Sequence, residues 1–212
     1  AGVLYTRRDP TTSGAATLET AGADFRLATA RFRGSQNLSL GGFWLRNTTP
    51  LDTGRSGSYG LRLDYPNDRW NGGMVYRAVQ ENFDPAVGFL QRNNYEQYNP
   101  YFNFSPRPRD HKYIRRLGFT ADADLKTGLT NDYVSRIWNL TVLNIDFHSQ
   151  ETISVLVIAD QERLDRPFRP SAGITLPVGG DYSFLRYRVT GGTANRRMVA
   201  VTPTVEWGSL YS

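Results

Sequence analysis

The chain has 212 residues, 39% of them hydrophobic, 21% charged and 13% aromatic, with a formal net charge of +5 and no cysteine. It is long enough for one sizeable domain and too apolar for wholesale disorder, and the lack of cysteine excludes disulfides, thiolate nucleophiles and Cys-ligated metals. The longest apolar stretch, 153–159, is interrupted by Ser154 and falls far short of the roughly 20 residues of a membrane-spanning helix, so spanning helices are excluded and spanning strands are not.

The opening run, Ala1-Gly2-Val3-Leu4-Tyr5-Thr6-Arg7-Arg8, is already strand-like and lacks the pattern of a signal peptide. Residues 205–212 also stop beside a strand, so 1–212 reads as a single β-barrel domain or barrel segment of a longer chain. Extended runs separated by clusters of Gly, Pro, Asn, Asp and Ser predict strands at 18–29, 30–46, 58–65, 70–83, 95–105, 114–125, 135–147, 153–163, 182–190 and 197–207. Helix signals are nearly missing. With the opening run this makes about ten to twelve strands, and turns such as Pro66-Asn67-Asp68, Thr127-Gly128 and Gly191-Gly192 join neighbours into an antiparallel meander.

Alternation separates two faces. Leu117, Phe119, Ala121, Ala123 and Leu125 fall on one side of their strand, and Arg116, Gly118, Thr120, Asp122 and Asp124 on the other. Tyr59, Leu61, Leu63 and Tyr65 alternate likewise with Gly60, Arg62 and Asp64. Across 138–147 the phase slips, which predicts a bulge near Val142.

Period alone does not say which face is wet, because a half-buried soluble sheet has the same pattern. Length and aromatic placement favour a membrane: 116–125 and 198–207 match the roughly nine to eleven residues of a tilted spanning strand. Tyr59, Tyr65, Trp70, Phe83, Trp138, Phe147, Tyr182, Trp207 and Tyr211 lie at strand ends, where interfacial girdles form. The expected fold is all-β, an antiparallel up-and-down transmembrane β-barrel or a large part of one. Its lumen would carry Arg62, Asp64, Arg77, Glu81, Arg116, Asp122, Asp124, Arg186 and Arg188. The five arginines would favour anions or acidic saccharides unless Asp64, Glu81, Asp122 and Asp124 neutralise them.

Catalytic and cofactor chemistry finds little support. His111 and His148 are far apart in the chain and outside any metal-spaced cluster, and the adjacent pair His148-Ser149 would point to opposite faces of a strand. Asp122 and Asp124 begin like a calcium loop, but Lys126 occupies the next ligand position. Asn37, Asn47 and Asn139 fall in glycosylation-type triplets that a Ser- and Thr-rich chain supplies by chance. Basic residues are spread through nearly every segment, which gives no nucleic-acid signature. No cofactor, no metal and no catalytic residue is expected.

Two passages carry a resemblance. The first is Glu81-Asn82-Phe83-Asp84-Pro85-Ala86-Val87-Gly88-Phe89-Leu90-Gln91-Arg92, followed by Tyr98-Asn99-Pro100 and Ser105-Pro106-Arg107-Pro108. The second is Arg166-Pro167-Phe168-Arg169-Pro170, then Ile174-Thr175-Leu176-Pro177-Val178-Gly179-Gly180-Asp181-Tyr182-Ser183-Phe184, with the closing Trp207-Gly208-Ser209-Leu210-Tyr211. Together they resemble an uncharacterised outer-membrane β-barrel domain of Gram-negative bacteria that follows a periplasmic domain similar to family-9 carbohydrate-binding modules. The resemblance implies an outer-membrane location, membrane lipid as surroundings and an anchoring or conducting role without catalysis, with envelope proteins or saccharide as candidate partners. Two other readings stay open: a soluble β-sandwich or barrel binding carbohydrate on exposed Tyr and Trp, and a membrane-bound hydrolase.

Overall fold

The computed structural model describes residues 1–10, 16–48, 54–90, 92–130, 132–164, 167–171 and 173–209. Thirteen strands follow in chain order: β1 Gly2–Arg8, β2 Leu18–Phe32, β3 Gln36–Thr48, β4 Gly57–Pro66, β5 Trp70–Val79, β6 Tyr95–Phe104 and β7 Ile114–Thr127. After them come β8 Tyr133–Phe147, β9 Thr152–Arg163, β10 Phe168–Ser171, β11 Ile174–Leu176, β12 Asp181–Gly192 and β13 Thr204–Gly208. Eleven form one antiparallel up-and-down sheet in the order β1 to β9, then β12 and β13. Its edges are β1 and β13, and the sheet is not closed. The strands β10 and β11 pair separately within the β9–β12 connection.

Several expected boundaries move, each for a local reason. The break between the second and third strands falls at 33–35 and not at 29/30, because Arg33 (φ 47°) and Gly34 (φ 101°) both take the left-handed conformation that a tight hairpin requires. Gly191 and Gly192 make no turn; they extend β12 and pair with Ile153 and Thr152. A Cβ on Gly192 would stand 2.6 Å from Thr152 Oγ1, so the glycine serves close approach. The strand expected at 197–207 shrinks to Thr204–Gly208, since Pro203 has no N–H to add to the ladder. The strand expected to reach Phe83 ends at Val79. The bulge lies at Val142: Thr141 pairs with Leu156 and Leu143 with Val155, leaving Val142 as the extra residue.

The chain divides into two compact units, Ala1–Tyr65 with Gly73–Asn99 and Lys126–Tyr133, and Pro66–Gly72 with Pro100–Leu125 and Val134–Ser212. In both, cross-strand register sorts side chains into one apolar and one polar face. In the first unit, Ala23, Phe25 and Leu27 share a face with Leu40, Trp44, Leu61 and Leu63, whereas Thr20, Asp24 and Arg26 share the other with Asn47, Phe43, Ser58 and Arg62. Wherever aromatics sit opposite glycines the ring covers the gap, Phe25 over Gly42 and Phe43 over Gly60.

Candidate functional site

Many large apolar side chains of the strands are exposed, while several small polar groups are buried. Leu61 is 53% exposed, Trp138 50% and Trp207 52%, and Leu27, Leu63, Leu140 and Val205 are exposed beside them. The small polar groups are packed away: Asn47 is 2% exposed, Ser58 4% and Asp146 4%. A folded chain in water exposes apolar residues singly, and whole faces of them mark a contact with lipid or protein.

On the polar face of β2 to β5 a cleft of about 570 Å³ is lined by Asp24, Arg26, Ser39, Arg62, Asp64 and Arg77. Gly41 brings no side chain to fill it, whereas the Phe43 ring already covers Gly60. Arg62 Nε donates to Asp64 Oδ2 at 2.7 Å. Arg77, on the neighbouring strand, has no carboxylate partner among the described residues, and neither has Arg26. Two guanidinium groups without an ion-paired carboxylate thus stand in the cleft beside the Phe43 ring, with the Asp24 carboxylate in the same lining.

Past β5 the chain folds onto the polar face. Gln80 N–H donates to the Gly57 carbonyl at 2.9 Å, and Gln80 Oε1 accepts from Gly57 N–H at 2.7 Å. Ala86 N–H donates to Thr20 Oγ1 at 2.9 Å, and Asp84 N–H donates to Asn47 Oδ1 at 3.3 Å. This explains two departures from expectation. Phe83, expected as an interfacial aromatic, is only 5% exposed inside this loop. Glu81, expected in a lumen, sits in the turn after β5 with its carbonyl bonded to Asn93 Nδ2 at 2.5 Å. Asn47 of the glycosylation-type triplets is a buried structural residue.

In the second unit, two carboxylates that sequence spacing does not single out, Glu206 and Asp146, gather arginines. Glu206 accepts from Arg186 Nη1 at 2.7 Å and Arg188 Nε at 2.6 Å, because register sets Glu206 opposite Arg188. Asp146 accepts from Arg116 Nε at 2.7 Å and from Asn144 Nδ2 at 3.0 Å. Asp122 instead accepts from Asn139 Nδ2 at 2.9 Å, and Asp124 has other partners. The pairing of Arg116 with Asp146 spans 30 residues of sequence, which no spacing rule reveals.

Most expected girdle residues do lie on the apolar face. Tyr65 meets Phe32 edge-on at 6.4 Å, Trp70 stacks on Phe104 at 4.1 Å, and Trp207 stacks on Tyr187 at 5.9 Å. Trp138 and Phe147 share the apolar side of β8 across the bulge. Tyr59 packs against Tyr76, and next to them Glu96 accepts from the hydroxyls of Tyr76 at 3.1 Å and Tyr98 at 2.8 Å. Tyr182 departs from the set: its parity in β12 matches Arg186 and Arg188, so it belongs to the polar face. Tyr211 lies outside the described residues.

The two histidines, remote in sequence, are neighbours in space. His148 Nε2 is 3.2 Å from the His111 carbonyl, and His111 Nδ1 accepts from the backbone N–H groups of Tyr113 and Ile114 at 3.2 and 3.0 Å. They tie two turns together. Among the described residues no group of three His, Asp or Glu is arranged to hold a metal. No family model, curated protein or solved structure matches the chain.

Proposed function

We propose that this chain forms the wall of a bacterial outer-membrane β-barrel, acting as anchor or conduit for a larger chain or envelope complex without catalysis of its own. The observation that supports the reading is the face of large apolar side chains left exposed along the strands, Leu27, Leu61, Leu63, Trp138, Leu140, Val205 and Trp207 among them. Each large apolar side chain left in water forfeits about 1.5–3 kcal/mol, whereas the same side chain against acyl chains loses nothing. The sequence resemblance to an outer-membrane barrel domain points the same way. Eleven strands of alternating direction leave β1 and β13 running the same way, so antiparallel closure takes an odd number of further strands. Behind the wall, the cleft at Arg26 and Arg77 would bias traffic toward anions or acidic saccharides.

Extraction tests the proposal. The protein should require detergent to stay in solution and should migrate on gels differently before and after boiling. A folded monomer stable in plain buffer would overturn it.

A further inference from the structure

Residues 105–116 lead from β6 into β7 and do more than complete a wall or conduit. This segment, Ser105-Pro106-Arg107-Pro108-Arg109-Asp110-His111-Lys112-Tyr113-Ile114-Arg115-Arg116, concentrates four arginines and a lysine against a single aspartate. Its side chains build a pocket of about 180 Å³ lined, among the described residues, by Arg107, Arg115 and Arg116. Arg107 Nη2 donates to Asp68 Oδ1 at 2.7 Å, its other terminal nitrogen bonding Asp68 Oδ2. Arg115 and Arg116 share the single carboxylate of Asp146, at 3.7 and 2.6 Å. Two carboxylates thus serve three guanidiniums, and Arg109 and Lys112 stand exposed in the same loop with no carboxylate partner among the described residues.

Arg115 and Arg116 are consecutive in a strand and start toward opposite faces, yet both reach Asp146. That is geometrically possible only at the end of the sheet, where the two faces meet. The rim there is also aromatic: Tyr113 is exposed under the Lys112 ammonium, and Arg69 lies over the Phe104 ring that stacks on Trp70. Guanidinium forks match tetrahedral oxyanions bidentately, and an excess of cations over carboxylates leaves the pocket short of negative charge.

We infer that this arginine pocket binds a phosphate group, with Arg107 and Arg115 as its principal ligands. The phosphate can be free or borne by a lipid headgroup; only the lipid source depends on the membrane reading. Titration calorimetry with inorganic phosphate alone, and then with detergent micelles doped with phosphatidic acid or with diacylglycerol, distinguishes the two. Saturable binding of inorganic phosphate assigns the free ligand, and binding restricted to phosphatidic acid micelles assigns the headgroup. Arg115→Gln should weaken whichever binding is seen by about tenfold. Asp68→Asn, which releases the Arg107 fork, should tighten it, a gain that a purely structural arginine cluster would not give. Absence of binding in all arms, or affinity unchanged in both variants with native circular dichroism, would overturn the site whether or not the chain inserts in membranes.

Discussion

The polar faces of the two units use the same residue types to opposite ends. On β2 to β5, Gly41 leaves a cleft open, and Arg26 and Arg77 line it with no ion-paired carboxylate among the described residues. Across β12 and β13, Glu206 gathers both Arg186 and Arg188. Alternation writes both faces; what separates them is whether a carboxylate stands close enough across the strand pair to meet the arginines. Arg26 has Gly41 opposite it, and Arg188 has Glu206. The first region therefore keeps uncompensated cationic charge at a cleft, and β12 and β13 tie their own strands together.

Charge on the apolar face should have the largest effect, and an equal one in both units. Leu61→Arg in one unit and Leu140→Arg in the other should each cost about 2–4 kcal/mol of folding stability in lipid vesicles, measured by urea titration. Values within about 0.5 kcal/mol would mean that these side chains meet water. Next comes the loop over the first polar face: Thr20→Val strands the buried Ala86 N–H and should cost about 1–3 kcal/mol, with faster proteolysis between residues 80 and 90.

A smaller contrast sharpens the difference between cleft and network. Glu206→Gln should lower the thermal midpoint by leaving Arg186 and Arg188 unneutralised, whereas Arg77→Gln should leave it unchanged while reducing any preference for anions in bilayer conductance. An equal loss in both variants would erase the distinction.

The smallest effect is a pH dependence at a turn. Hydrogen bonds from Ser149 and then Arg197 hold the Glu151 carboxyl down at about 2, against 4.5 for an unperturbed glutamate. A carboxyl lowered in the folded state stabilises above its unfolded value, so this contribution is complete above pH 4.5 and fades as pH falls toward 2. Glu151→Gln should flatten the stability profile over that window, and an unchanged profile would remove the group from the account. Asp68 is lowered in the same direction by its hydrogen bonds with Arg107.

Much of the strand layout was legible because period two is a local property. The faces of β4 and β7, the turn at 66–68 and the bulge at Val142 all follow from side-chain order over a few residues. The candidate sites were legible only in part. Arg62 with Asp64 is visible as a pair two apart, but Asp146 for Arg116 and Glu206 for Arg188 depend on strand register, which turn geometry and bulges set together. Phe83 was misplaced because the Thr20 hydroxyl and Asn47 side chain that draw its loop inward lie 66 and 37 residues from their bonding partners. Tyr182 was misplaced because its position near a strand end was read without its parity.

The order of amino acids by itself settled that this chain is built of long antiparallel strands with one oily and one polar side, since backbone pleating converts alternation directly into faces. Which arginines are quenched, where a cavity remains and which aromatic turns inward were decided only when distant strands came into register, because those outcomes depend on what stands opposite and a linear chain does not specify its neighbour across the sheet.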